Sequence, residues 1–580
     1  MGIIVQKFGG TSVADAECIR RAAAKIIGAK EAGHQVVVTL SARAGMTDEL
    51  IGLARSIAPD PDPRELDMLV STGEQVSIAL MCLTLHAMGH SAISLTGGQV
   101  GIVTDSAHNN ARIQKVETSA IERELARGKI VVIAGFQGID PDLNITTLGR
   151  GASDLTAVAL AAALKADMCE IYTDVDGVYT ADPRVVPNAA KLDAISHDEI
   201  LELAGVGAKV LQSRSVEVAK KFRVPMCVRS TFSDAPGTII CSSVKADGGT
   251  SVCGAALSVN ESRITLSGLP DVPGIAARVV GALGERGINI GMIVQSFPFK
   301  GKADISLLVK DVDLGRALDA CDKLRGEFDT VEISCDGEIA RVSAVGRGMV
   351  DHAGIAAKMC SVFGPQGINI KMITTSEINI SVMVGSADGQ KALRAVHDAF
   401  QLDRLPKLVP VHDTPTGLRL SKSDTMEGFH VQSVECDADQ AELKIRGLAD
   451  KPGQAALALT AIADAGINLD VVLQNSCASG ISVTTLRKDV ERARQAIESM
   501  SPPVTKERPQ MTSDIAKVSV TGVGLRSHSG AASNAFGALA REDIDIRMIG
   551  TSEVKLTVIV SERDVGRAVA ALRKEFGLDA

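Results

Sequence analysis

The first 245 residues alternate short apolar runs with longer amphipathic stretches. The short runs are mostly β-branched and predict strands at Ile3 to Val5, Val36 to Leu40, Ile130 to Ala134, Met168 to Tyr172 and Met226 to Val228. The longer stretches predict helices at Ala14 to Lys30, Glu65 to Met88, Ser153 to Leu164 and His197 to Lys221. This alternation predicts a mainly parallel sheet covered by helices on both faces. Ligands of such sheets bind at the carboxyl ends of the strands, so the loops after Val5, Leu40 and Ala134 are the candidate sites.

After about residue 250 an internal repeat replaces this pattern. Four segments each contain a β-type run, a glycine turn, an Ala-rich helical stretch and a second β-type run, with turn glycines at Gly274, Gly354, Gly453 and Gly530. The first and third share Gly-Leu-x-Asp-x-Pro-Gly, and the second and fourth share Thr-Ser-Glu. The first and third glycines are 179 residues apart, and the second and fourth 176. The repeat therefore indicates a duplicated pair.

Each repeat of roughly 75 residues has the order β-α-β-β-α-β and predicts a small split βαβ sandwich. The predicted boundaries are 1–245 for the N-terminal domain, 252–340, 341–412, 431–512 and 513–580 for the modules, and 413–430 for a polar linker. The first and third modules are each assigned a leading strand, 252–259 and 431–438. Exposed edges favour pairing with a like neighbour and predict at least a dimer. The pattern alone fits paired ligand-sensing modules or structural spacers.

Composition narrows the class of protein. The 580 residues predict about three to five domains. A net charge of −9 and an aromatic content of 2% disfavour nucleic-acid binding. The longest apolar stretches, such as Leu155 to Leu164, fall short of the roughly 20 residues of a membrane-spanning helix, and no secretory pattern occurs at the N-terminus. The sequence therefore predicts a protein of the cytoplasm, or a mature protein of an organelle, with no membrane or nucleic-acid partner, and we take the cytoplasm as the prediction.

The loop after the first strand is a candidate phosphate site. It reads Lys7-Phe8-Gly9-Gly10-Thr11-Ser12 and precedes a predicted helix. Backbone N–H groups can approach an anion closely at a Gly-Gly turn, and Lys7 adds a full positive charge. A Gly-Gly turn is also common without any ligand, and the two best-known nucleotide loops are absent from the sequence.

Other polar residues suit an amino acid or a nucleotide. Arg150 offers a planar fork for a carboxylate and Glu74 a partner for an ammonium group, although Arg150 and Asp154 taken singly fit a helix start. The Asp-rich run 172–184 suits ribose hydroxyls and phosphates, and a calcium loop is the alternative, without EF-hand spacing. His86 and His90 flank Gly89 and fit a helix end, so no metal site is predicted.

Six motifs occur in chain order: KFGGTSV (7–13), TDEL (47–50), STGE (71–74), TTLGRGASD (146–154), YTDVDGVYTADPR (172–184) and GAKVL (207–211). Together they resemble the aspartate kinase family, and the repeats resemble its regulatory ACT domains, here four instead of the commoner two. The resemblance covers essentially the whole chain. It implies an α/β amino-acid-kinase domain with a mainly parallel sheet between helices, followed by four βαββαβ ACT-type α+β modules in two pairs.

The resemblance implies a reaction. L-Aspartate and ATP, with Mg²⁺, would become 4-phospho-L-aspartate and ADP, the entry step to lysine, threonine, methionine and diaminopimelate synthesis. An acceptor carboxylate is already ionised near neutral pH, so no general base is needed. Catalysis is then alignment plus neutralisation of charge on the γ-phosphate.

The resemblance also implies residue roles. Lys7 and Asp154 would be catalytic, with Arg150 on the α-carboxylate and Glu74 on the α-ammonium of aspartate. The implied aspartate-binding residues are Ser41, Thr47, Glu74, Arg150 and Ser153. The implied ATP-binding and phosphate-binding residues are Lys7, Gly9, Gly10, Ser12, Thr173, Asp174, Tyr179, Asp182, Arg184 and Lys209.

By the same resemblance, lysine, threonine or both would bind as effectors between paired modules. The implied contacts are Asp271, Gly274, Ile275, Ala276, Asn289, Ile290 and Gln295 in the first module, and Asp450, Gly453, Gln454, Ala455, Asn468, Leu469 and Gln474 in the third. Asp and Asn beside free backbone amides can receive both ends of a zwitterion. The alternative is that Asn289 and Asn468 simply form turns before strands.

Two departures from the family pattern and two rival functions accompany this interpretation. Residues 43–46 read Arg-Ala-Gly-Met where the family usually has Met-Gly-x-Thr. Ala152 replaces a frequent glycine, so the backbone at residue 152 should avoid glycine-only conformations.

One rival function is a catalytically silent amino-acid sensor. The other is a kinase of a different carboxylate, such as acetylglutamate, whose acylated amino group has no use for Glu74. A fused homoserine dehydrogenase is excluded, because the repeats fill the C-terminal half.

Overall fold

The structure is a computed structural model, and it describes residues 2–208, 210–246, 252–295, 301–326, 328, 331–349, 352, 354–411, 425–475 and 480–578. Lys209, which was assigned to ATP, lies outside the described residues, as do residues 413–424 of the predicted linker.

The N-terminal domain is built on an eight-stranded sheet. The strands of this domain are β1 Ile3–Phe8, β2 Gln35–Leu40, β3 Ala92–Leu95, β4 Ile102–Thr104, β5 Ile113–Val116, β6 Ile130–Ala134, β7 Gln137–Ile139, β8 Ile145–Thr147, β9 Met168–Thr173, β10 Ala194–Ser196, β11 Met226–Ser230, β12 Thr238–Cys241 and β13 Ser243–Ala246. The order in the eight-stranded sheet is β10-β12-β11-β9-β1-β2-β6-β3, and all neighbours pair in parallel except β11 with β12, which confirms the mainly parallel sheet. A four-stranded sheet has the order β5-β4-β7-β8, and β13 pairs with residues 408–411 in a two-stranded sheet. The helices are α1 Ala16–Glu31, α2 Met46–Ile57, α3 Pro63–Val70, α4 Thr72–Ala87, α5 Ser119–Ala126, α6 Ser153–Leu164, α7 His197–Gly205 and α8 Ser213–Phe222.

The apolar pattern explains these elements. Helix α6 is apolar on nearly every side and lies in the core, as expected for a fully enclosed helix. Helix α1 begins after Asp15, whose carboxylate accepts hydrogen bonds from the N–H groups of Glu17 and Cys18. Each of the two longest predicted helices is divided in two. The first breaks at Ser71, and the second ends at Gly205 before Gly207, which has a φ of +117°.

One run is long and apolar enough to pass a test for a membrane-spanning helix. Within residues 63–87, an 18-residue window has a mean hydropathy of 1.4, and half of that window is buried inside the protein. The run consists of the two separate helices α3 and α4, and it includes the buried carboxylates of Asp67 and Glu74.

The C-terminal half forms one continuous fourteen-stranded sheet with helices packed against it. The elements of modules one and two are β14 Gly254–Ser258, β15 Glu261–Pro270, α9 Ile275–Gly284, β16 Met292–Gln295, β17 Lys302–Lys310, α10 Leu314–Arg325, β18 Glu332–Asp336, β19 Ile339–Val345, α11 Ile355–Ser361, β20 Met372–Thr375, β21 Asn379–Gly385, α12 Gly389–Ala399 and β22 Leu408–Val411. The elements of modules three and four are β23 His430–Arg446, α13 Gln454–Asp464, β24 Val472–Asn475, β25 Gly480–Leu486, α14 Val490–Glu498, β26 Gln510–Val523, α15 Ser529–Arg541, β27 Met548–Thr551, β28 Lys555–Ser561 and α16 Val565–Glu575.

The leading strands complete different modules from those predicted. β14 pairs with β19 of the second module, from Gly254 opposite Val345 to Ser258 opposite Arg341. The first half of β23 pairs with β26 of the fourth module, while its second half belongs to the third. Each leading strand therefore fills the position of the fourth strand in the second module of its sequence pair. The assignment to modules one and three was wrong in this respect, because sequence adjacency does not decide which sheet edge is open.

The modules also pair differently in space from their order in the sequence. β20 of the second module pairs antiparallel with β24 of the third, and α11 packs on α13. β16 of the first module pairs with β27 of the fourth, and α9 packs on α15. The spatial pairs are thus one with four and two with three, whereas the duplication in the sequence groups one with two and three with four.

Both spatial pairs reach the N-terminal domain at α7. The fully buried Glu202 accepts a hydrogen bond from Asn379 Nδ2 of the second module at 2.7 Å. It also accepts one from the backbone N–H of Glu553 of the fourth module at 2.9 Å. Burial and the nearby Glu553 carboxylate raise the pKa of Glu202 to about 7.

Candidate active site

The glycine loop after β1 is held close to the loop after β2. Gly9 donates its N–H to the carbonyl of Tyr172 at 3.2 Å, and the carbonyl of Gly10 accepts from Ala44 N–H at 3.2 Å. A Cβ at Gly10 would lie 2.8 Å from the carbonyl oxygen of Ala42. Because real Cβ atoms do not come that close to backbone, glycine is required for this approach. Ser12 Oγ lies 2.7 Å from Thr231 Oγ1, which fixes the far end of the loop.

Lys7 and Asp154 form an ion pair at the mouth of β1. Lys7 Nζ lies 2.6 Å from Asp154 Oδ1, and their side chains are 11% and 10% exposed. Asp154 lies in the first turn of α6, directly after Ser153. The two residues predicted as catalytic are therefore in contact beside the glycine loop.

Glu74 offers a buried carboxylate oxygen without a partner. It lies in the first turn of α4, is 3% exposed, and accepts the N–H of Ala42 through Oε1 at 3.0 Å. Oε2 is buried and has no hydrogen-bond partner within the part of the chain that the structure describes. Burial raises the pKa of Glu74 to about 7. A buried acceptor left unpaired is costly, and a cationic donor would relieve that cost.

Arg150 lies on the rim of this region. It is held in a turn between Gly149 and Gly151, which both have positive φ, and its side chain is 73% exposed. Its Nη2 lies 2.7 Å from Asp48 Oδ1, next to Thr47 at the start of α2. Asp48 had no predicted role, although it belongs to the TDEL motif. Loop 41–48 thus touches Gly10, Glu74 and Arg150, and it joins the phosphate candidates to the aspartate candidates.

The nucleotide candidates follow β9, which neighbours β1 in the sheet. Thr173 Oγ1 donates to Asp174 at 3.0 Å. The hydroxyl of Tyr179 donates to Asp176 at 2.7 Å, and this bond raises the pKa of Tyr179 to about 12. Arg184 and Asp182 form a bidentate salt bridge that is exposed to solvent, with Nε 3.0 Å from Oδ1 and Nη2 2.8 Å from Oδ2. Their side chains therefore pair within the loop.

The replacement of glycine by Ala152 is accommodated as predicted. Ala152 has φ −76° and ψ 3°, a conformation open to any residue, while Gly149 and Gly151 on either side take the positive φ values. The departure at 43–46 places Gly45, with φ +82°, directly before α2.

The predicted effector residues are divided between separate cavities. In the third module, Asp450, Gly453, Gln454, Ala455 and Gln474 line a cavity of about 30 Å³ with Asn369 and Ile370 of the second. Asn468 and Leu469 instead line a cavity of about 260 Å³ against the glycine turn of the second module, around Gly354. The predicted effector residues of this module therefore line two cavities, and their role in effector binding stays a prediction. Two modules that pair antiparallel bring each glycine turn against the partner's strand entry, which creates two separate contacts.

The first module repeats this division. Gln295 Nε2 donates to the carbonyl of Ile546 in the fourth module at 2.6 Å, and its Oε1 is buried without a partner in the described part of the chain. Gly274 has φ +91° and precedes α9, where Ile275 and Ala276 are buried, and Asn289 is exposed. Burial and Asp545 of the fourth module raise the pKa of Asp271. Ile290 lines a different cavity, against Arg526 and His528 of the fourth module.

Family models match both halves of the chain. The amino acid kinase family matches residues 2–230, and the ACT domain matches 264–324, 342–400, 445–500 and 518–576. The fold and the glycine-loop geometry thus define an amino-acid-kinase domain with four ACT modules.

Relatives identify the family more narrowly. The aspartokinase of Mycolicibacterium smegmatis is 46% identical over 407 residues, which are 69% of this chain and 97% of that protein. The aspartate kinase structure from Synechocystis is 38% identical, covers 99% of this chain and 98% of its own, and has a TM-score of 0.53. The chain belongs to the aspartokinase family.

A third relative, E. coli aspartokinase III, has been solved in two complexes. The complex with aspartate and ADP is 26% identical to this chain, with a TM-score of 0.60, and covers 68% of this chain and 99% of its own. The protein in the complex with lysine and aspartate is 27% identical to this chain, with a TM-score of 0.53, and the match covers 69% of this chain and 99% of that protein.

Proposed function

We propose that this enzyme transfers the γ-phosphoryl group of ATP to the side-chain carboxylate of L-aspartate, giving 4-phospho-L-aspartate and ADP. The carrying observation is the buried Oε2 of Glu74, which has no hydrogen-bond partner among the described residues. Residues 41–48 join Glu74 to the glycine loop beside the Lys7–Asp154 pair on one side and to Arg150 on the other. An amino acid with both a free ammonium and a free α-carboxylate satisfies Glu74 and Arg150 together. The E. coli relative solved with aspartate and ADP supports the same substrates.

Positioning and charge neutralisation account for the chemistry. Lys7 would face the transferred phosphoryl group with Gly9, Gly10 and Ser12, and Asp154 would hold Lys7 in place. Mg²⁺, which neutralises the triphosphate, usually binds through one or two carboxylates plus phosphate oxygens. Asp154 is the carboxylate that lies at the glycine loop, and no group of three metal-ligating side chains occurs among the described residues. These residues therefore fit a metal that arrives with ATP.

The test is ADP release with L-aspartate, ATP and Mg²⁺, followed by trapping of the acyl phosphate with hydroxylamine. N-acetyl-L-glutamate and D-aspartate serve as comparison substrates, because the first cannot offer an ammonium group to Glu74. Lys7→Ala should lower kcat on the order of 10³-fold, as expected for loss of a cation at the transferred phosphate. Lys115→Ala, which removes an exposed lysine paired with Glu117, should leave kcat unchanged. Normal turnover by Lys7→Ala would contradict the assignment.

We further propose that lysine, threonine or both inhibit the enzyme from the contacts between modules one and four and between modules two and three. Support comes from the Oε1 atoms of Gln295 and Gln474 at equivalent places in the two pairs, which are buried and have no hydrogen-bond partner among the residues that the structure describes. The E. coli relative solved with lysine is consistent with such regulation. Calorimetric titration of the full-length enzyme with each amino acid, alone and together, tests this. Absence of heat with both would refute it.

The same proposal places the reaction at the entry to lysine, threonine and methionine synthesis, in a cytoplasmic enzyme that is at least a dimer. The predicted domain boundaries likewise stay proposals. Sedimentation of the purified full-length chain would test the assembly, since a monomer at micromolar concentration would contradict it.

A further inference from the structure

Helix α8 presents a row of charged side chains to the regulatory half. Arg214, Glu217 and Lys221 are spaced three and four residues apart, so they share one face of the helix. Lys221 Nζ donates to the backbone carbonyls of Thr425 at 2.8 Å and Gly428 at 3.0 Å. The short segment 425–428, which enters β23, is thereby fastened to the N-terminal domain.

The same segment inserts an acidic side chain into that domain. The backbone N–H of Met426 donates to the carbonyl of Gln114 at 2.9 Å, and that of Glu427 donates to Ile113 at 3.2 Å. Glu427 accepts the N–H of Ile113 through Oε1. Its side chain is only 3% exposed, and its Oε2 lies 2.7 Å from Arg214. A charge buried this deeply is stable only because it is paired.

Arg214 extends this contact to the turn that carries Arg150. While Nε and Nη2 face Glu427, Nη1 donates to the carbonyl of Leu148 and Nη2 to that of Ala111 at 2.7 Å. Leu148 is two residues before Arg150, and Gly149 between them has φ +89°. With Glu427 paired, the guanidinium is fixed in the plane that reaches both carbonyls. Without Glu427, nothing fixes the orientation of the Arg214 guanidinium that donates to the Leu148 carbonyl.

We propose that Glu427, a residue of the regulatory half, is a positioning residue for the aspartate site: through Arg214 it holds the turn 148–150, and so it sets the affinity for the substrate α-carboxylate. This rests on the proposed function. Residues 430–437 of β23, directly beyond this segment, pair with β26 of the fourth module. A displacement of that module would therefore reach the turn of Arg150 through the buried ion pair of Glu427 and Arg214.

The test compares steady-state constants of full-length variants. Glu427→Gln keeps an acceptor for Ile113 N–H but loses the charge opposite Arg214. It should raise KM for aspartate about tenfold and change KM for ATP and kcat less than twofold, because displacement of the turn affects one substrate. Arg214→Lys, which cannot reach Leu148 and Glu427 together, should give the same pattern. The double variant should be no worse than either single variant, since both break one path.

Ser527→Ala is the matched control. It removes a 2.9 Å hydrogen bond from the fourth module to Glu217 on the same face of α8, without touching the turn, so KM for aspartate should stay within twofold. Glu427→Asp should restore part of the affinity. If Glu427→Gln does not fold, Arg214→Lys decides alone. An unchanged KM for aspartate, an equal rise in KM for ATP, or the same rise in Ser527→Ala would overturn the proposal. Inactivity of the unmodified enzyme with aspartate would instead refute the proposed function.

Discussion

Glu74 should give the enzyme a pH dependence that belongs to aspartate alone. In the free enzyme, burial holds the pKa of this carboxylate at about 7, so near neutrality a substantial fraction is protonated. An ammonium group pairs with the ionised form, and bound substrate therefore lowers the pKa. The enzyme molecules in which Glu74 is protonated, the majority below pH 7, can bind aspartate only after Glu74 has lost its proton.

The size of the effect follows from this pKa. The ionised fraction is about 0.9 at pH 8 and about 0.09 at pH 6, so kcat/KM for aspartate should fall roughly tenfold, worth about 1.4 kcal/mol. At saturating ATP and Mg²⁺ the fall should lie in KM for aspartate, with kcat nearly level. The assay is coupled ADP release at half-unit pH steps from 6 to 8.5, with coupling enzymes in excess throughout.

Glu74→Gln should remove the slope and lower kcat/KM for aspartate at pH 8 by about 10- to 100-fold, the worth of a hydrogen bond to a charged group. Glu65→Gln, which changes an exposed carboxylate paired with Arg64, should keep the wild-type profile. A flat profile in the unmodified enzyme, or an unchanged slope in Glu74→Gln, would refute the assigned contact between Glu74 and the ammonium group.

Two further predictions concern the glycine loop and the domain contact. Gly10→Ala forces the Ala42 carbonyl away and should raise KM for ATP about tenfold or more, with little change in melting temperature. Gly28→Ala, in open space on α1, is the control and should keep KM for ATP while the protein gains about 1 kcal/mol of stability. Equal KM values for ATP in the two variants would contradict the close approach at Gly10. The raised pKa of Glu202 means that its contribution to stability is present below about pH 4.5 and is lost as pH rises through about 7. Glu202→Gln should therefore flatten the fall in melting temperature between pH 5 and 7, and a parallel fall in both proteins over that range would contradict it.

The sequence predicts the N-terminal domain well because its signals are local. The strand before Lys7 and the apolar helix after Ala152 are visible as short periodic patterns, and the motifs follow strand ends in chain order. Lys7 and Asp154 both lie in the motifs, and their contact is explained by the fold, because α6 packs against β1. The contact of Asp48 with Arg150 has no signal in the sequence, because the two residues are 102 positions apart and meet only when the turn is folded.

The arrangement of the modules could not be predicted in the same way. Four units with the same periodicity present nearly equivalent edges, and nothing in a repeat states which edge meets which. The pairing of Thr374 with Leu473 and of Gln295 with Ile549 depends on contacts between elements nearly 100 and more than 250 residues apart. The feature that distinguishes modules two and four from modules one and three is the leading strand. It occupies one sheet edge of modules two and four and leaves their other edge to pair with a neighbouring module.

This pairing supplies a physical reason for Thr-Ser-Glu in the second and fourth modules only. The two turns, at 375–377 and 551–553, belong to different spatial pairs and meet each other, with Lys555 paired to Glu377. Beside them, Asn379 and the backbone of Glu553 bond the same carboxylate of Glu202. Each spatial pair therefore contributes one such turn to the contact with α7, and a rearrangement in either pair would reach the N-terminal domain at the buried carboxylate of Glu202.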